Sequence, residues 1–357
     1  VALRILISPL DWGLGHATRC IPIIRYLLAK KVEVIIASDG HQLLLLQEEF
    51  PQLEYIRLKG YRVKYSAFLP VSMAVALQVP KINSAIAREN RELKLILEAN
   101  KIDAVISDNR YGLYSEKVPS VIITHQLNIQ SRFAKGKLRE KTIAHLKKFN
   151  ECWIPDYEDG DYLSAALSHP VPDGIMAKYI GLLSRFSAQE EHKAMQRDLL
   201  VVLSGPEPQR TVLEKKLIRQ IEEVGNIKAL IVRGIPGGKG LKINHNIEMV
   251  PHLDKNALLD KILTSKVILA RPGYSTLMDL AAIGGKRAIF IPTPGQTEQE
   301  YLAMFLESEN IAVSCSQKRF SLAEAWRKVF QAKGFNHRLY KPMYTDIIDK
   351  WLESIRS

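Results

Sequence analysis

One stretch decides the fold: the apolar run Val267-Ile-Leu-Ala270, then Arg271-Pro-Gly273-Tyr-Ser275-Thr276-Leu-Met-Asp279-Leu-Ala-Ala-Ile-Gly284, a second apolar run Ala288-Ile-Phe-Ile291, and Pro292-Thr-Pro294-Gly-Gln296-Thr297-Glu298-Gln299-Glu-Tyr301. Each run is short, β-branched and bounded by proline or glycine, the mark of a strand buried on both faces. The segments between have helical length and spacing. Strand, tight turn, helix and strand in that order make a parallel sheet covered by helices.

The same alternation extends outward in both directions. Toward the N-terminus, strands are expected at Leu3–Ile7, Val32–Ala37, Leu53–Leu58, Ala104–Ser107, Ser120–Thr124 and Cys152–Ile154, with helices at His16–Lys30, Gly40–Phe50, Lys81–Asn100 and Lys137–Asn150. A second series follows, with strands at Leu199–Leu203, Ala229–Val232, Glu248–Val250 and Ala312–Ser314 beside the two already quoted. The expected fold is α/β: two doubly wound, Rossmann-like domains facing a cleft between them. The reading places an N-terminal domain at 1–165, a linker at 166–197 and a second domain at 198–335. A C-terminal helix at 336–357 is expected to pack back on the first domain.

Composition is consistent with this and narrows the partners. The chain has 357 residues, 46% apolar and 25% charged, with a formal charge of +12. Such a balance suggests an anionic partner: nucleic acid, a phosphorylated small molecule or an anionic membrane surface. No helix-turn-helix, RNP-like or zinc-spaced pattern supports nucleic acid. The basic run from Lys135 to Lys148 reads as one helix face, solvated or resting on anionic lipid. Three dispersed cysteines, the lack of an apolar run near the ~20 residues a bilayer requires, and a short N-terminal apolar run favour a cytoplasmic protein.

The chemistry-bearing residues fall in loops after strands, where open α/β sheets bind ligands. In Asp11-Trp-Gly13-Leu-Gly15-His16-Ala-Thr18-Arg19, two glycines let the backbone approach a ligand, and His16 opens a helix. After the strand ending at Ala270, Gly273 turns the chain, and Ser275 and Thr276 begin a helix suited to a diphosphate. Asp279 follows one turn later, where it can accept from a ribose diol. Glu298 and Gln299 begin a helix where several sugar hydroxyls could bind, and Ser204-Gly205-Pro-Glu-Pro-Gln209-Arg210 offers a guanidinium for phosphate. Each loop taken alone also reads as an ordinary helix cap or solvated turn.

Together these segments resemble GT-B glycosyltransferases, and within them the family-28, MurG-like group. The resemblance spans both halves, and its most specific part is 266–303. It implies that Ser275 and Thr276 meet the donor diphosphate, with Gly13, Gly15, Arg210, Arg271 and Gly273 also on the donor side. It makes Asp279 the ribose ligand, Glu298 and Gln299 the sugar ligands, and His16 a base or charge stabiliser beside the acceptor. Thr124-His125-Gln126-Leu127-Asn128 resembles the family's His-Glu-Gln-Asn segment in part, placing His125 and Asn128 on the acceptor side.

The implied activity is metal- and cofactor-independent transfer of a hexosyl or N-acetylhexosaminyl group from a nucleotide sugar, UDP-sugar favoured. His16 or Asp108 would take the acceptor proton, and Arg271 and Arg210 would stabilise the departing diphosphate. The acceptor is not named; the aromatic, basic and apolar run from Gly60 to Pro70 suits a lipid-linked one, at a peripheral membrane surface. Gly-x-Gly-His-x-x-Arg together with Asp108-Asn-Arg-Tyr-Gly112 also resembles nucleotide-sugar hydrolases of pseudaminic acid synthesis. Hydrolysis is the alternative reaction, and a basic nucleic-acid- or membrane-binding protein the alternative without catalysis.

Overall fold

The computed structural model describes residues 2–63, 71–128, 135–160, 162–186, 194–235, 240–335 and 342–356. Most of the Gly60–Pro70 segment therefore lies outside the described residues. From the N-terminus the elements are β1 (Arg4–Pro9), α1 (Leu14–Ala29), β2 (Glu33–Ser38), α2 (Gly40–Glu49), β3 (Glu54–Arg57), α3 (Val71–Ala76), α4 (Val79–Asn100), β4 (Ala104–Asp108), β5 (Ser120–Ile123), α5 (Lys135–Leu146), β6 (Glu151–Ile154) and β7 (Ala177–Tyr179). There follow β8 (Arg197–Val202), α6 (Gln209–Val224), β9 (Ala229–Val232), β10 (Leu241–Lys242), β11 (Ile247–Val250), α7 (Lys255–Leu263), β12 (Ser265–Ala270), α8 (Tyr274–Ile283), β13 (Arg287–Phe290), α9 (Thr297–Ser308), β14 (Val313–Ser314), α10 (Leu322–Val329) and α11 (Tyr344–Arg356).

The chain forms two compact units, the first holding Val1–Lys64, Val75–Arg185 and Tyr340–Ser357, the second Tyr65–Ala74 and Phe186–Leu339. Each contains one seven-stranded sheet, ordered β3-β2-β1-β4-β5-β6-β7 and β10-β11-β9-β8-β12-β13-β14. Every pairing is parallel except β10 with β11. The central strands are continuous apolar runs because helices cover both of their faces: Ile5, Leu6, Ile7, Val105 and Ile106 are buried in the first unit, and Leu199, Leu200, Val201, Ile268 and Leu269 in the second.

The first sheet extends into the stretch read as a linker. Ala177, Lys178 and Tyr179 pair with Cys152, Trp153 and Ile154, so 166–185 completes the first unit instead of leaving it. A three-residue Ala-Lys-Tyr strand has no apolar run of its own; it owes its conformation to β6. Within the same unit, Ile348, Trp351 and Leu352 of α11 are buried, Trp351 meets Trp153 edge-on at 5.2 Å, and Asp349 accepts from Tyr26 at 2.8 Å and Lys30 at 2.7 Å. No described helix is long and apolar enough to cross a membrane.

Candidate active site

In the first unit the strand order reverses at β1, which lies between β2 and β4. Connections leave such a pair in opposite directions and open a crevice at the carboxyl ends. Gly13 turns the chain there at φ +148°, a conformation that L side chains rarely adopt, with nothing within 4 Å of where a Cβ would stand. Its need is conformational, not spatial. The turn sets His16 in the first turn of α1, its side chain 18% exposed.

Asp108 ends β4 directly beside Pro9 of β1 and is fully buried. Its Oδ1 lies 2.6 Å from His16 Nδ1 and accepts from Arg19 Nη2 at 2.6 Å, while Oδ2 accepts from Arg19 Nε. Burial pushes the Asp108 carboxyl upward, but Arg19 and then His16 outweigh it and hold the group below the usual aspartate range. An ionised Asp108 fixes the His16 proton on Nδ1, so Nε2 carries the lone pair. Arg19, itself buried, brings Nη1 to 3.4 Å from His125 Nδ1 beyond β5. His16, Asp108, Arg19 and His125 thus gather at one point. Asn128 is turned elsewhere: it donates to the Pro170 carbonyl at 2.8 Å and accepts from Arg139 at 3.1 Å.

A second buried array holds the loop after β4 in place. Asn109 adopts φ +59°, and Arg110 donates to Glu89 at 2.7 Å, to Ser8 Oγ at 3.1 Å and to the Lys59 carbonyl at 2.8 Å. Tyr61 donates to Glu89 at 3.1 Å and accepts from the Tyr111 N–H at 3.0 Å. Burial raises the Glu89 carboxyl above its ordinary value even though Arg110 pulls it down. Gly112 has no room for a side chain, since a Cβ would stand 2.4 Å from the Ile86 carbonyl oxygen. Asp11 ties the β1 loop to the same support by accepting from the N–H groups of Tyr61 at 3.0 Å and Arg62 at 2.9 Å.

In the second unit the reversal lies between β8 and β12. Gly205 turns after β8 at φ +97°. Gly273, by contrast, has an ordinary φ of −73°, and the nearest atom to its missing Cβ is Thr276 Oγ1 at 3.9 Å. It is therefore not needed for a turn, as the sequence suggested; it leaves the start of α8 uncovered. Ser275 and Thr276 are half-buried in that first turn, and Asp279 is nearly buried one turn on.

The two arginines expected to meet phosphate are turned inward. Arg271 is 1% exposed and donates to the carbonyls of Ile291 at 2.8 Å, Pro292 at 2.9 Å and Gln209 at 3.2 Å, and to Gln317 Oε1 at 2.6 Å. Burial lowers its pKa to about 10, which leaves it charged at neutral pH. Arg210 is held by Glu207, by Glu214 at 3.2 Å and by the Arg233 carbonyl at 3.3 Å. Both therefore brace the loops around α6, β12 and β13. Gln299 has a bracing contact too, accepting from the Thr293 N–H at 2.8 Å, whereas Glu298 is half-buried beside it. The Thr293 hydroxyl is buried without a hydrogen-bond partner. Among the described residues no group of three or more His, Cys, Asp or Glu side chains is placed to hold a metal ion.

Residues 209–343 match the glycosyltransferase family 28 C-terminal domain. An uncharacterized glycosyltransferase of Methanosarcina mazei is 24% identical over 357 residues, covering 94% of this chain and 92% of its own. Among solved structures, Acinetobacter baumannii MurG superposes with a TM-score of 0.59 at 13% identity, over 99% of this chain and all of that one. Phytolacca americana UGT2, complexed with UDP-2fluoro-glucose and pterostilbene, superposes with a TM-score of 0.64 at 12% identity over the full length of both chains.

The chain has the GT-B fold, and its stretch 209–343 matches the family 28 glycosyltransferase C-terminal domain. The residue missed by sequence reasoning is Arg19. Its signal was present: it stands three residues after His16 on one helix, the spacing that puts two side chains on a shared face.

Proposed function

We propose that the protein transfers a hexosyl or N-acetylhexosaminyl group from a nucleoside diphosphate sugar, UDP-sugar favoured, to an acceptor hydroxyl. The observation carrying this reading is the His16–Asp108 pair at the strand reversal of the first sheet, with Nδ1 held at 2.6 Å and Nε2 left as the basic nitrogen. In the reaction, His16 Nε2 removes the acceptor hydroxyl proton as its oxygen bonds to the anomeric carbon and the bond from that carbon to the diphosphate breaks. Asp108 holds the ring and stabilises the imidazolium that forms.

The donor side rests on the second unit. Ser275, Thr276 and the amide end of α8 meet the diphosphate, and the helix dipole stabilises its growing charge without a metal. Asp279 binds the ribose and Glu298 the sugar, with Gln299 beside it. In this reading Arg210 and Arg271 act as supports of the site, consistent with the contacts described above. His125 reaches the acceptor side through Arg19. A lipid-linked acceptor at an anionic membrane surface is consistent with the +12 charge.

The test is a thermal-shift screen of UDP-, GDP- and dTDP-sugars, followed by product analysis with and without acceptors. Stabilisation by one nucleotide sugar and an acceptor-dependent glycoside are expected. Failure of every nucleotide sugar and free nucleotide to bind would overturn the donor site. Release of free sugar at the same rate without acceptor would replace transfer by hydrolysis.

A further inference from the structure

The second unit carries a cavity at the end of its sheet opposite to the loops described above. It measures about 500 Å³, within the range of small-molecule sites, and every residue lining it belongs to that unit. Arg197 opens β8, Lys228 stands just before β9, and Asn244 and Asn246 lead into β11. The cavity therefore lies at the amino ends of three neighbouring parallel strands. With the six residues of β8 rising ~3.3 Å each, roughly 20 Å of strand separates it from the Gly205 turn.

The asparagines of the lining are already engaged and build its wall. Asn244 Oδ1 accepts from the N–H groups of Asn246 and Ile247, both at 2.9 Å, and its amide donates to Glu222 at 3.2 Å. Asn246 donates to the Gly225 carbonyl at 2.5 Å. Arg197 differs: its Nη1 is buried with no hydrogen-bond partner. The neighbouring Asp198 carboxylate is taken, accepting from Lys266 Nζ at 2.8 Å and from the Lys228 N–H at 3.0 Å. Glu248 also lines the cavity, but it is exposed and does not meet Nη1. A buried guanidinium N–H left unmet costs more than a neutral one, and an oxyanion is its natural acceptor. Lys228, exposed in the same lining, brings a second positive charge.

We infer that this cavity is a second ligand site, for a small phosphorylated molecule whose phosphate meets Arg197 and Lys228. Phosphate is favoured over carboxylate because its double charge answers two cations. The volume exceeds that of the oxyanion alone, and the buried Ala229, Ile247 and Met249 give the lining an apolar part for the rest of the molecule. The site does not depend on the proposed transfer, since none of these residues belongs to the loops assigned to donor or acceptor.

The test is calorimetric titration of the full chain with inorganic phosphate, glycerol 3-phosphate and glucose 6-phosphate, and with lactate as the carboxylate probe. A phosphorylated probe should bind at least about tenfold tighter than lactate. Arg197→Gln should weaken that binding at least about tenfold, and Lys228→Gln, at an exposed side chain, about threefold. Glu248→Gln removes an opposing charge and should tighten it. Without probe, Arg197→Gln should melt within about 2 °C of wild type, because Nη1 has no internal partner to lose. Failure of every phosphorylated probe to bind below roughly 10 mM overturns the site. Binding that survives Arg197→Gln undiminished places the probe elsewhere and overturns it too. Lactate binding as tightly as the phosphorylated probes would overturn the phosphate assignment. A melting temperature lowered by more than about 5 °C in both Arg197→Gln and Glu248→Gln would make that pair a structural support instead. Should Arg197→Gln fail to fold, the exposed positions decide: weaker binding in Lys228→Gln with tighter binding in Glu248→Gln supports the site, and unchanged affinity in both overturns it.

Discussion

Replacing Asp108 by Asn tests the centre of the first unit more severely than any other single change. The carboxylate accepts from His16 Nδ1 at 2.6 Å and from Arg19 Nη2 at 2.6 Å, with Arg19 Nε on its other oxygen. An amide of the same shape keeps one acceptor and turns an NH2 toward N–H donors. It also leaves the buried Arg19 guanidinium without a counter-charge. Breaking a buried pair from one side costs about 3–5 kcal/mol. In a unit of this size each kcal/mol moves the melting temperature by roughly 2–4 °C, so a fall of about 6–20 °C is expected by scanning calorimetry at pH 7. The pH dependence follows from the depressed carboxyl. A group whose folded pKa lies below its unfolded one stabilises fully above the unfolded value, about 3.9, and ceases to do so as pH falls through the folded value. The gap between wild type and Asp108→Asn should therefore hold from pH 7 to about 5 and shrink at lower pH. A gap under about 2 °C at pH 7, or one that widens on acidification, would refute the argument.

Other substitutions separate roles within the two units. His16→Gln, at a side chain 18% exposed, should leave the melting temperature and nucleotide binding unchanged and lower turnover by about 10²–10⁴-fold; calorimetric titration beside an activity assay would show it. Gly273→Val meets no backbone strain at φ −73° and should fold normally, yet weaken nucleotide binding at least about tenfold by covering the start of α8. Arg271→Met orphans the Ile291 and Pro292 carbonyls in the interior and should cost about 3 kcal/mol in urea unfolding. Glu89→Gln uncouples Arg110 and Tyr61 together, and a loss of about 3–5 kcal/mol by the same measurement is expected.

Much of the fold was legible because the central strands are apolar runs whose burial does not depend on which neighbour they meet. β1, β4, β9 and β12 lie within a residue or two of their sequence assignment. β7 and β10 were not legible for the opposite reason: three residues of Ala-Lys-Tyr and two of Leu-Lys become strands only because β6 and β11 offer an edge. The same distinction governs the site. A glycine after a strand singled out both the His16 and the Ser275 loops, and each lies at the carboxyl end of a strand of its sheet. It does not say which way a long side chain points. Arg271 stands in such a loop and Arg210 in the first turn of the helix that follows one, yet carbonyls and carboxylates within their own unit capture both guanidinium groups. Arg19 was overlooked inside a motif already quoted, because its partner lies 89 residues away and becomes adjacent only when β4 pairs with β1. The two sets of arginines thus exchange roles for one physical reason. A guanidinium goes to the nearest acceptors that burial leaves unsatisfied. At Arg271 these are uncharged oxygens closing strand ends, and at Arg19 the acceptor is the carboxylate that orients the candidate base.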